Sequence, residues 1–306
     1  MKIITDIPKM QEFARQVRVG GLSIGLVPTM GSLHEGHLAL VRCARSEADV
    51  VVASIFVNPK QFDRDEDFAA YPRDEERDRA LLEQERVDVL FMPTAQAVYG
   101  ERAATRVSVS GLSDHLCGPV RPGHFDGVTT IVTALFNMVL PDLAFFGEKD
   151  YQQLQIIRRM TRDLHLPVRI VSLPTVREAD GLAMSSRNER LGEAGRKRAR
   201  ALSLGLEASV AEFAAGEDDA DALIATARVV VEKTGGIDIE YLELVDGDTL
   251  GRARTADERS VIAIAAWVDG VRLIDNVVFS RWLSQYEETP AEEEATGPNN
   301  GVHTDA

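Results

Sequence analysis

The sequence predicts an α/β fold: a doubly wound parallel sheet in an N-terminal domain, followed by a smaller α+β C-terminal domain. Residues 50–57 form an apolar run rich in β-branched side chains, which is typical of a strand buried on both faces. Such runs alternate with segments of helical periodicity, and this alternation implies right-handed βαβ units. Further along, the composition shifts to Ala, Arg and Glu, which indicates a second unit.

The N-terminal domain is expected to span residues 1–176. Its first helix follows Asp6 and Pro8, which are helix-start signals. Apolar runs predict strands at 22–27, 50–57, 87–91, 106–109, 142–146 and 168–173, and periodic segments predict helices at 8–19, at 38 to about 48, and at 74–85, 127–140 and 151–164.

The C-terminal domain is expected to span residues 177–285 and to have no catalytic constellation of its own. The predicted helices are 193–215 and 219–233, and the predicted strands are 239–245, 261–268 and 271–279. The remaining segment, 286–306, is an acidic tail without core residues, and we expect it to be disordered.

Composition limits the class of protein and the ligands. The chain has 306 residues, of which 44% are hydrophobic, and no apolar run approaches the ~20 residues that a membrane helix needs. Its two cysteines lack metal-site spacing and favour a reduced cytoplasm. The net charge of −15 argues against a nucleic-acid partner, because phosphate backbones are bound through an excess of lysine and arginine. An anionic ligand therefore needs a local group of cations.

A glycine-rich loop joins the first predicted strand of the sheet to the next helix. Gly31 and Gly36 allow the backbone to approach a ligand closely, and the amide groups of a helix start attract anions. His34 and His37 would face such an anion. The loop therefore suits phosphate groups, although a glycine turn with two surface histidines would give the same short motif.

Polar residues after two other strands fit the same site. Asn58 and Gln61 follow the strand at 50–57, and ligands of open α/β sheets bind beyond the carboxyl ends of strands. Lys149 follows a later strand, and Gln153 lies about one helical turn further. Neutral amides suit a small polar substrate, whereas the lysine supplies a cation. Each of these residues alone is also compatible with an ordinary surface turn.

A Met-Ser-Ser-Arg sequence occupies residues 184–187. Its hydroxyl groups can donate hydrogen bonds to phosphate oxygens, and its guanidinium group can bind them bidentately. A capped helix start would explain the same residues without a ligand.

Taken together, these segments resemble the pantothenate synthetase family of the nucleotidylyltransferase superfamily, which carries a His-x-Gly-His motif. The resemblance extends to about Trp282 and rests on residues 28–37, 56–62, 121–127, 146–153 and 184–188. It implies an AMP-forming acid–amino acid ligase that joins (R)-pantoate to β-alanine through a pantoyl adenylate, in pantothenate and coenzyme A biosynthesis. It also implies ATP as a substrate, Mg²⁺ as a cofactor, and a cytoplasmic homodimer with a Rossmann-like N-terminal domain and a C-terminal lid domain.

The same resemblance assigns roles by position. Catalysis falls to His37, as proton donor, with His34 and Lys149, while Gln61 and Gln153 would bind pantoate and Asn58 would support that pocket. The ATP-binding residues would be Met30, Gly31, Ser32, Leu33, His34, Glu35, Gly36, His37, Gly147, Glu148, Lys149, Asp150, Val176, Met184, Ser185, Ser186 and Arg187. The loop at 184–187 is expected to close over ATP. No metal ligands are assigned.

Two features depart from the family pattern. The acidic tail has no counterpart in the family core, and Arg77 precedes Asp78 where some members have paired aspartates. We therefore expect Asp78 to lie on the solvated surface of its helix rather than to bind magnesium.

Two other functions fit parts of the pattern. A nucleotidylyltransferase acting on another small acceptor would release pyrophosphate without needing an amine, but its site should offer extra cations for an acceptor phosphate. A nucleotide-sensing binding module would bind ATP without turnover. Because the substrate-type positions Asn58, Gln61 and Gln153 are neutral amides, the sequence favours the ligase.

Overall fold

A computed structural model describes residues 1–287 of the chain, without the side chains of residue 65 and residues 285–287. The expected acidic tail, 286–306, therefore lies outside the described residues except for its first two positions. These two belong to a helix that runs from Phe279 past Trp282 to Glu287.

The described residues form nine strands and eleven helices. The strands are β1 (Lys2–Ile4), β2 (Ile24–Thr29), β3 (Val50–Ile55), β4 (Val89–Phe91), β5 (Leu143–Gly147), β6 (Arg169–Leu173), β7 (Ile237–Asp246), β8 (Ser260–Val268) and β9 (Val271–Val278). The helices are α1 (Ile7–Val19), α2 (Glu35–Glu47), α3 (Asp65–Ala70), α4 (Glu75–Gln84), α5 (Ala95–Tyr99), α6 (Cys117–Val120), α7 (His124–Val139), α8 (Tyr151–Asp163), α9 (Glu193–Ala214), α10 (Ala220–Thr234) and α11 (Phe279–Glu287). Short 3₁₀ helices occupy Pro59–Gln61, Leu112–Asp114, Glu148–Asp150 and Ser186–Arg190.

The first six strands form one parallel sheet in the order β1-β4-β3-β2-β5-β6. Helices cover both faces, and the side chains of β2 show why: Ile24 and Leu26 pack with α1, α7 and α8, whereas Val27 packs with α2 and α4. The predicted α/β class and doubly wound parallel sheet are confirmed. Since β2 lies between β3 and β5, the order of strands reverses there, and ligands bind at such a reversal.

Two details of the predicted sheet were wrong. Strand β1 was not predicted, and it pairs with β4 at the edge of the sheet. The expected strand at 106–109 does not form, because its backbone bonds to side chains of α7 instead. The Val107 amide donates to Thr130 Oγ1 at 3.0 Å, and the Val107 carbonyl accepts from Thr129 Oγ1 at 2.6 Å.

The second unit is an antiparallel sheet, β7-β8-β9, with α9 and α10 packed against it. Leu202, Leu206, Leu223 and Ile264 are essentially buried in its core. Within the described residues, no helix combines the length and apolar character that crossing a membrane requires.

Polar contacts join the second unit to the parallel sheet. The Asn276 side chain donates to the backbone carbonyls of Glu148 and Lys149, at 3.1 and 2.8 Å. Arg281 pairs with Glu148 at 3.1 Å. Strand β9 and helix α11 therefore lie directly against the turn that follows β5.

Candidate active site

A cavity opens where β2, β3 and β5 end, at the reversal of the strand order. Four separated segments reach it: the loop after β2, the turn after β3, the turn after β5 and the loop at 184–187. The predicted site residues that line it are Met30, His34, Gly36, His37, Asn58, Gln61, Gly147, Lys149, Asp150, Gln153, Val176, Met184, Ser185, Ser186 and Arg187. Convergence of these segments into one pocket is the arrangement that the sequence pattern requires.

Five residues of the predicted ATP site have other surroundings. Gly31, Ser32 and Leu33 are the buried part of the glycine loop, and Leu33 packs into the core beside α2. The Glu35 side chain pairs with Arg42 on the outer side of α2. Glu148 accepts hydrogen bonds from Ser172 and Arg281 and so belongs to the contact between the two units. Any contact of these five residues with a nucleotide would therefore have to come from their backbone atoms.

The glycine loop is held in place by a buried carboxylate from α4. Asp78 is 1% exposed, and its two oxygens accept the backbone amides of Ser32 and Leu33, both at 2.7 Å. Ser32 has a φ of 50° and Gly31 a φ of 79°, and a Cβ at residue 31 would lie 2.9 Å from Asp78 Oδ2. The expectation that Asp78 is solvated on a helix surface was therefore wrong, and its burial raises the pKa of this carboxyl group.

The two histidines of the loop are packed against each other at the start of α2. Their ring centroids are 4.1 Å apart, and the His34 amide donates to His37 Nδ1 at 3.3 Å, which leaves the proton of a neutral His37 on Nε2. Burial lowers the pKa of His37 to about 3, with a further contribution from His34. Burial and the charge of Lys149 lower the pKa of His34 to about 4. Both imidazoles are therefore neutral at pH 7.

Glycine at residue 36 allows this packing. A Cβ there would lie 3.0 Å from Cε1 and Nδ1 of His34 and 3.9 Å from Met184 Cβ. His34 Nδ1 is buried and has no hydrogen-bond partner among the described residues. A buried polar nitrogen at the wall of a pocket is costly unless a ligand or water satisfies it.

Gln61 is fixed by its neighbours at both ends of the residue. Its side-chain Oε1 accepts from Asn58 Nδ2 at 3.0 Å, and its Nε2 uses one of its two hydrogens to donate to Met30 Sδ at 3.0 Å. Its backbone carbonyl accepts from His124 Nδ1 at 2.7 Å and from Arg121 Nη2 at 3.3 Å. The amide nitrogen of Gln61 is therefore the end available to a ligand.

His124 and Arg121 line the pocket but were not predicted as site residues. Arg121 Nη1 lies 3.2 Å from His124 Nε2, and its Nε pairs with Asp63 at 3.0 Å. Burial, together with the charge of Arg121, lowers the pKa of His124 to about 4. The available signal was the Arg-Pro-Gly-His sequence at 121–124, which contributed to the family resemblance without a role.

The cations of the pocket each face a carboxylate. Lys149 Nζ lies 3.7 Å from Asp150 Oδ2, and Arg187 Nη2 lies 3.1 Å from Asp67 Oδ2 on α3. Burial alone would raise the pKa of Asp150, but the charges of Lys149 and Arg187 lower it overall. Asp150 is therefore ionised beside Lys149 and Arg187, the two cations predicted to bind phosphate.

The loop at 184–187 reaches the pocket from a short hairpin. The Met184 amide donates to the Val176 carbonyl at 3.0 Å, and Arg177 pairs with Ala183 in an antiparallel bridge. Ser185 caps the 3₁₀ helix that begins at Ser186, with its hydroxyl accepting the Arg187 amide at 3.3 Å.

Within residues 1–287, no three His, Cys, Asp or Glu side chains are grouped closely enough to hold a metal ion by themselves.

Comparison with known proteins decides the family. The model of the pantoate-beta-alanine ligase family matches residues 2–278. This chain belongs to the pantoate-beta-alanine ligase family. A pantothenate synthetase from Paracoccus denitrificans is 52% identical over 275 residues, covering 90% of this chain and 97% of the relative. One from Thermotoga petrophila is 49% identical over 278 residues, covering 91% and 99%.

Solved structures of the family share the fold. A pantothenate synthetase from Thermus thermophilus superposes with a TM-score of 0.85 at 43% identity, covering 91% of this chain and 99% of that one. A pantoate-beta-alanine ligase from Francisella tularensis, in complex with beta-gamma ATP and beta-alanine, has a TM-score of 0.74 at 31% identity, covering 92% and 98%. The family resemblance inferred from the sequence is confirmed.

The contacts of Asp78 generate a prediction about the glycine loop. Asp78→Ala leaves the amides of Ser32 and Leu33 buried and unpaired, so we expect it to lower the free energy of unfolding by about 2–4 kcal/mol and to raise the KM for ATP. Glu76→Ala, an exposed acidic residue of the same helix, should change neither quantity. Denaturant unfolding and steady-state kinetics measure both. An Asp78→Ala protein of normal stability, altered only in its Mg²⁺ requirement, would show that Asp78 binds metal instead.

Proposed function

We propose that this chain catalyses the ATP-dependent condensation of (R)-pantoate with β-alanine, giving pantothenate, AMP and pyrophosphate. The observation that carries the proposal is the single cavity in which His34, His37, Lys149 and Arg187 face the neutral amides of Gln61 and Gln153. Membership of the pantoate-beta-alanine ligase family supports it. The Francisella relative, in complex with beta-gamma ATP and beta-alanine, supports ATP and β-alanine as ligands.

The reaction proceeds in two displacements. A carboxylate oxygen of pantoate attacks the α-phosphorus of ATP, and pyrophosphate leaves with the electron pair of the broken P–O bond. The amine of β-alanine then attacks the acyl carbon of pantoyl adenylate, loses a proton, and expels AMP. No covalent enzyme nucleophile takes part, so the protein acts mainly by aligning two anions, for which alignment alone supplies up to about 7–11 kcal/mol.

Lys149 and Arg187 supply the positive charge that opposes the leaving pyrophosphate. Binding a triphosphate would draw both cations away from Asp150 and Asp67, their partners in the ligand-free pocket. The histidines begin as neutral N–H donors, and the negative charge of bound phosphates raises their pKa values. His37, with its proton on Nε2, is then the proton donor to the phosphate oxygens.

Pantoate would lie between Gln61 and Gln153, with Asn58 supporting rather than contacting it. Asn58 is 1% exposed, and its amide is already bonded within the protein. The apolar wall beside these amides, which includes Val132 and Leu135, suits the methyl groups of pantoate. The amine of β-alanine would approach from the side of Gln61.

Mg²⁺ is the remaining component that the family resemblance implies. Magnesium in such enzymes is bound through one or two carboxylates together with substrate phosphates, and Asp150 is a carboxylate of the pocket that fits this chemistry. When bound, the ion would neutralise part of the phosphate charge. Asp78 does not fit, because both of its oxygens accept backbone amides.

The organisation of the enzyme is proposed from the same resemblance. Residues 1–176 would bind the nucleotide and pantoate, and residues 177–285 would act as a lid that carries the loop at 184–187. We place the enzyme in the cytoplasm as a homodimer. Its two cysteines, Cys43 and Cys117, are free thiols, as expected in a reducing compartment.

The alternative of a nucleotidylyltransferase acting on another acceptor is not favoured. The family model that matches is that of pantoate-beta-alanine ligase, and the relatives are pantothenate synthetases. The pocket also presents amides rather than additional cations beside the phosphate-type residues.

The decisive assay separates the two half-reactions. With ATP and pantoate alone, we expect about one pyrophosphate per active site and no AMP, because the adenylate waits for an amine. Adding β-alanine should start continuous formation of AMP, which chromatography quantifies. AMP formation that is indifferent to β-alanine would contradict the proposal.

His37→Ala should lower the rate of adenylation by about 10²–10³, because it removes a donor aimed at the charge that develops on phosphate. Single-turnover release of pyrophosphate measures this step, and the melting temperature should show an intact fold. The control is His165→Asn, an exposed histidine with a φ of 50° that asparagine tolerates. Normal pyrophosphate release by His37→Ala would remove His37 from the mechanism.

Lys149 and Gln61 should give different kinetic signatures. Lys149→Ala should mainly lower kcat, because its charge acts on the transition state, and Lys149→Arg should recover part of the loss. The backbone of Lys149 is held by Asn276, so the Lys149 variants should keep the fold of the enzyme.

Gln61→Ala should mainly raise the KM for pantoate. A Gln61→Ala enzyme with unchanged pantoate kinetics would refute that assignment.

A further inference from the structure

We propose that Tyr99, which lies outside the pocket, is a positioning residue that orients Gln61 for pantoate through Asn58. The Tyr99 hydroxyl donates to Asn58 Oδ1 at 2.5 Å, and Asn58 Nδ2 donates to Gln61 Oε1 at 3.0 Å. Three side chains thus form one directed chain of hydrogen bonds that ends at the side-chain amide of Gln61. The inference rests on the proposed assignment of Gln61 to pantoate.

Asn58 links Tyr99 to Gln61 in one fixed orientation, because both polar atoms of its side chain have fixed partners. Its Oδ1 accepts from the Lys60 amide at 3.2 Å as well as from Tyr99. Its Nδ2 donates to the Gly127 carbonyl at 3.1 Å as well as to Gln61. With donors on one side and acceptors on the other, only one of the two orientations of the amide satisfies the site.

The orientation matters because the substrate is an anion. In the observed arrangement the Gln61 NH₂ group donates one hydrogen to Met30 Sδ at the wall of the cavity, which leaves its second N–H for a ligand. If the Asn58 amide were reversed, its oxygen would face Gln61 Oε1, and Gln61 would have to turn its own oxygen toward the cavity. An oxygen in that place repels a carboxylate and cannot donate to a hydroxyl oxygen. The Lys60 amide can only donate and the Gly127 carbonyl can only accept, so these two groups exclude the reversal. The Tyr99 hydroxyl adds the hydrogen bond that fixes the position of Asn58 Oδ1.

The surroundings of Tyr99 hold its ring in place and keep its hydroxyl protonated. Its ring packs against Phe56, with centroids 6.2 Å apart, and Lys60 Nζ lies 4.2 Å from the ring centroid. Burial raises the pKa of Tyr99 to about 12, so the hydroxyl keeps its proton throughout the neutral range. The backbone of Gln61 is already fixed by His124, so the side-chain amide is the part of the residue left for Tyr99 to orient.

The test is Tyr99→Phe, which removes the hydroxyl and keeps the ring. We expect the KM for pantoate to rise about 3- to 10-fold, as for the loss of one buried hydrogen bond, while kcat and the KM for ATP stay close to wild type. The control is Thr94→Ala, which removes the cap of the same helix, a hydrogen bond of 3.1 Å to the Ala97 amide. This control should lower the melting temperature without changing the KM for pantoate.

A double-mutant cycle separates positioning from a structural role. In a Gln61→Ala background, Tyr99→Phe should have no further effect on kcat/KM for pantoate, because the residue through which it acts is gone. An equal effect of Tyr99→Phe in both backgrounds would overturn the relay, and so would an unchanged pantoate KM in the single variant. If Gln61→Ala alone raises the pantoate KM in that case, the proposed function stands and only the role of Tyr99 fails. If Gln61→Ala leaves the pantoate KM unchanged, the assignment of Gln61 fails and the relay fails with it.

Discussion

The site depends on the reversal of strand order at β2 in an all-parallel sheet. Because every strand runs in the same direction, all the carboxyl ends lie at one edge of the sheet. Because β3 and β5 lie on opposite sides of β2, the connections after them diverge and leave a crevice between them. The loop of His34, the turn of Gln61 and the turn of Lys149 follow these three strands directly. The topology of the sheet thus places groups from distant parts of the chain within reach of one ligand.

Charge in the pocket is balanced before any ligand binds. The chain carries a net charge of −15, so the cations that would hold a triphosphate must act locally. Lys149 and Arg187 each lie beside an acidic partner, and the two loop histidines are neutral because burial disfavours their charged forms. A buried site with several unpaired cations would be costly to fold, whereas these pairings can be exchanged for phosphate oxygens when the nucleotide arrives.

Two buried polar side chains fix the loop and the amide that shape the pocket. Asp78 fixes the backbone of the glycine loop, and Asn58 fixes the amide of Gln61. Both residues are 1% exposed and make several hydrogen bonds, which is the condition under which a buried polar group is stabilising rather than costly. Their role is preorganisation, so they act on catalysis through the residues that they hold.

The sequence by itself determined the local features: the apolar runs of the central strands, the glycine loop between β2 and α2, and the Ser-Ser-Arg loop, whose order along the chain also carried the family resemblance. These features are encoded by neighbouring residues, and the structure has them within a few positions of the predicted bounds. The tertiary structure alone decided that β1 pairs with β4 and that residues 106–109 bond to α7 instead of forming a strand. It also decided that Asp78 bonds to the glycine loop, Tyr99 to Asn58 and His124 to the backbone of Gln61. Each of these depends on a contact between residues far apart in the chain, and since a local pattern records only what a residue's neighbours are, such contacts are set by packing of the whole sheet and its helices.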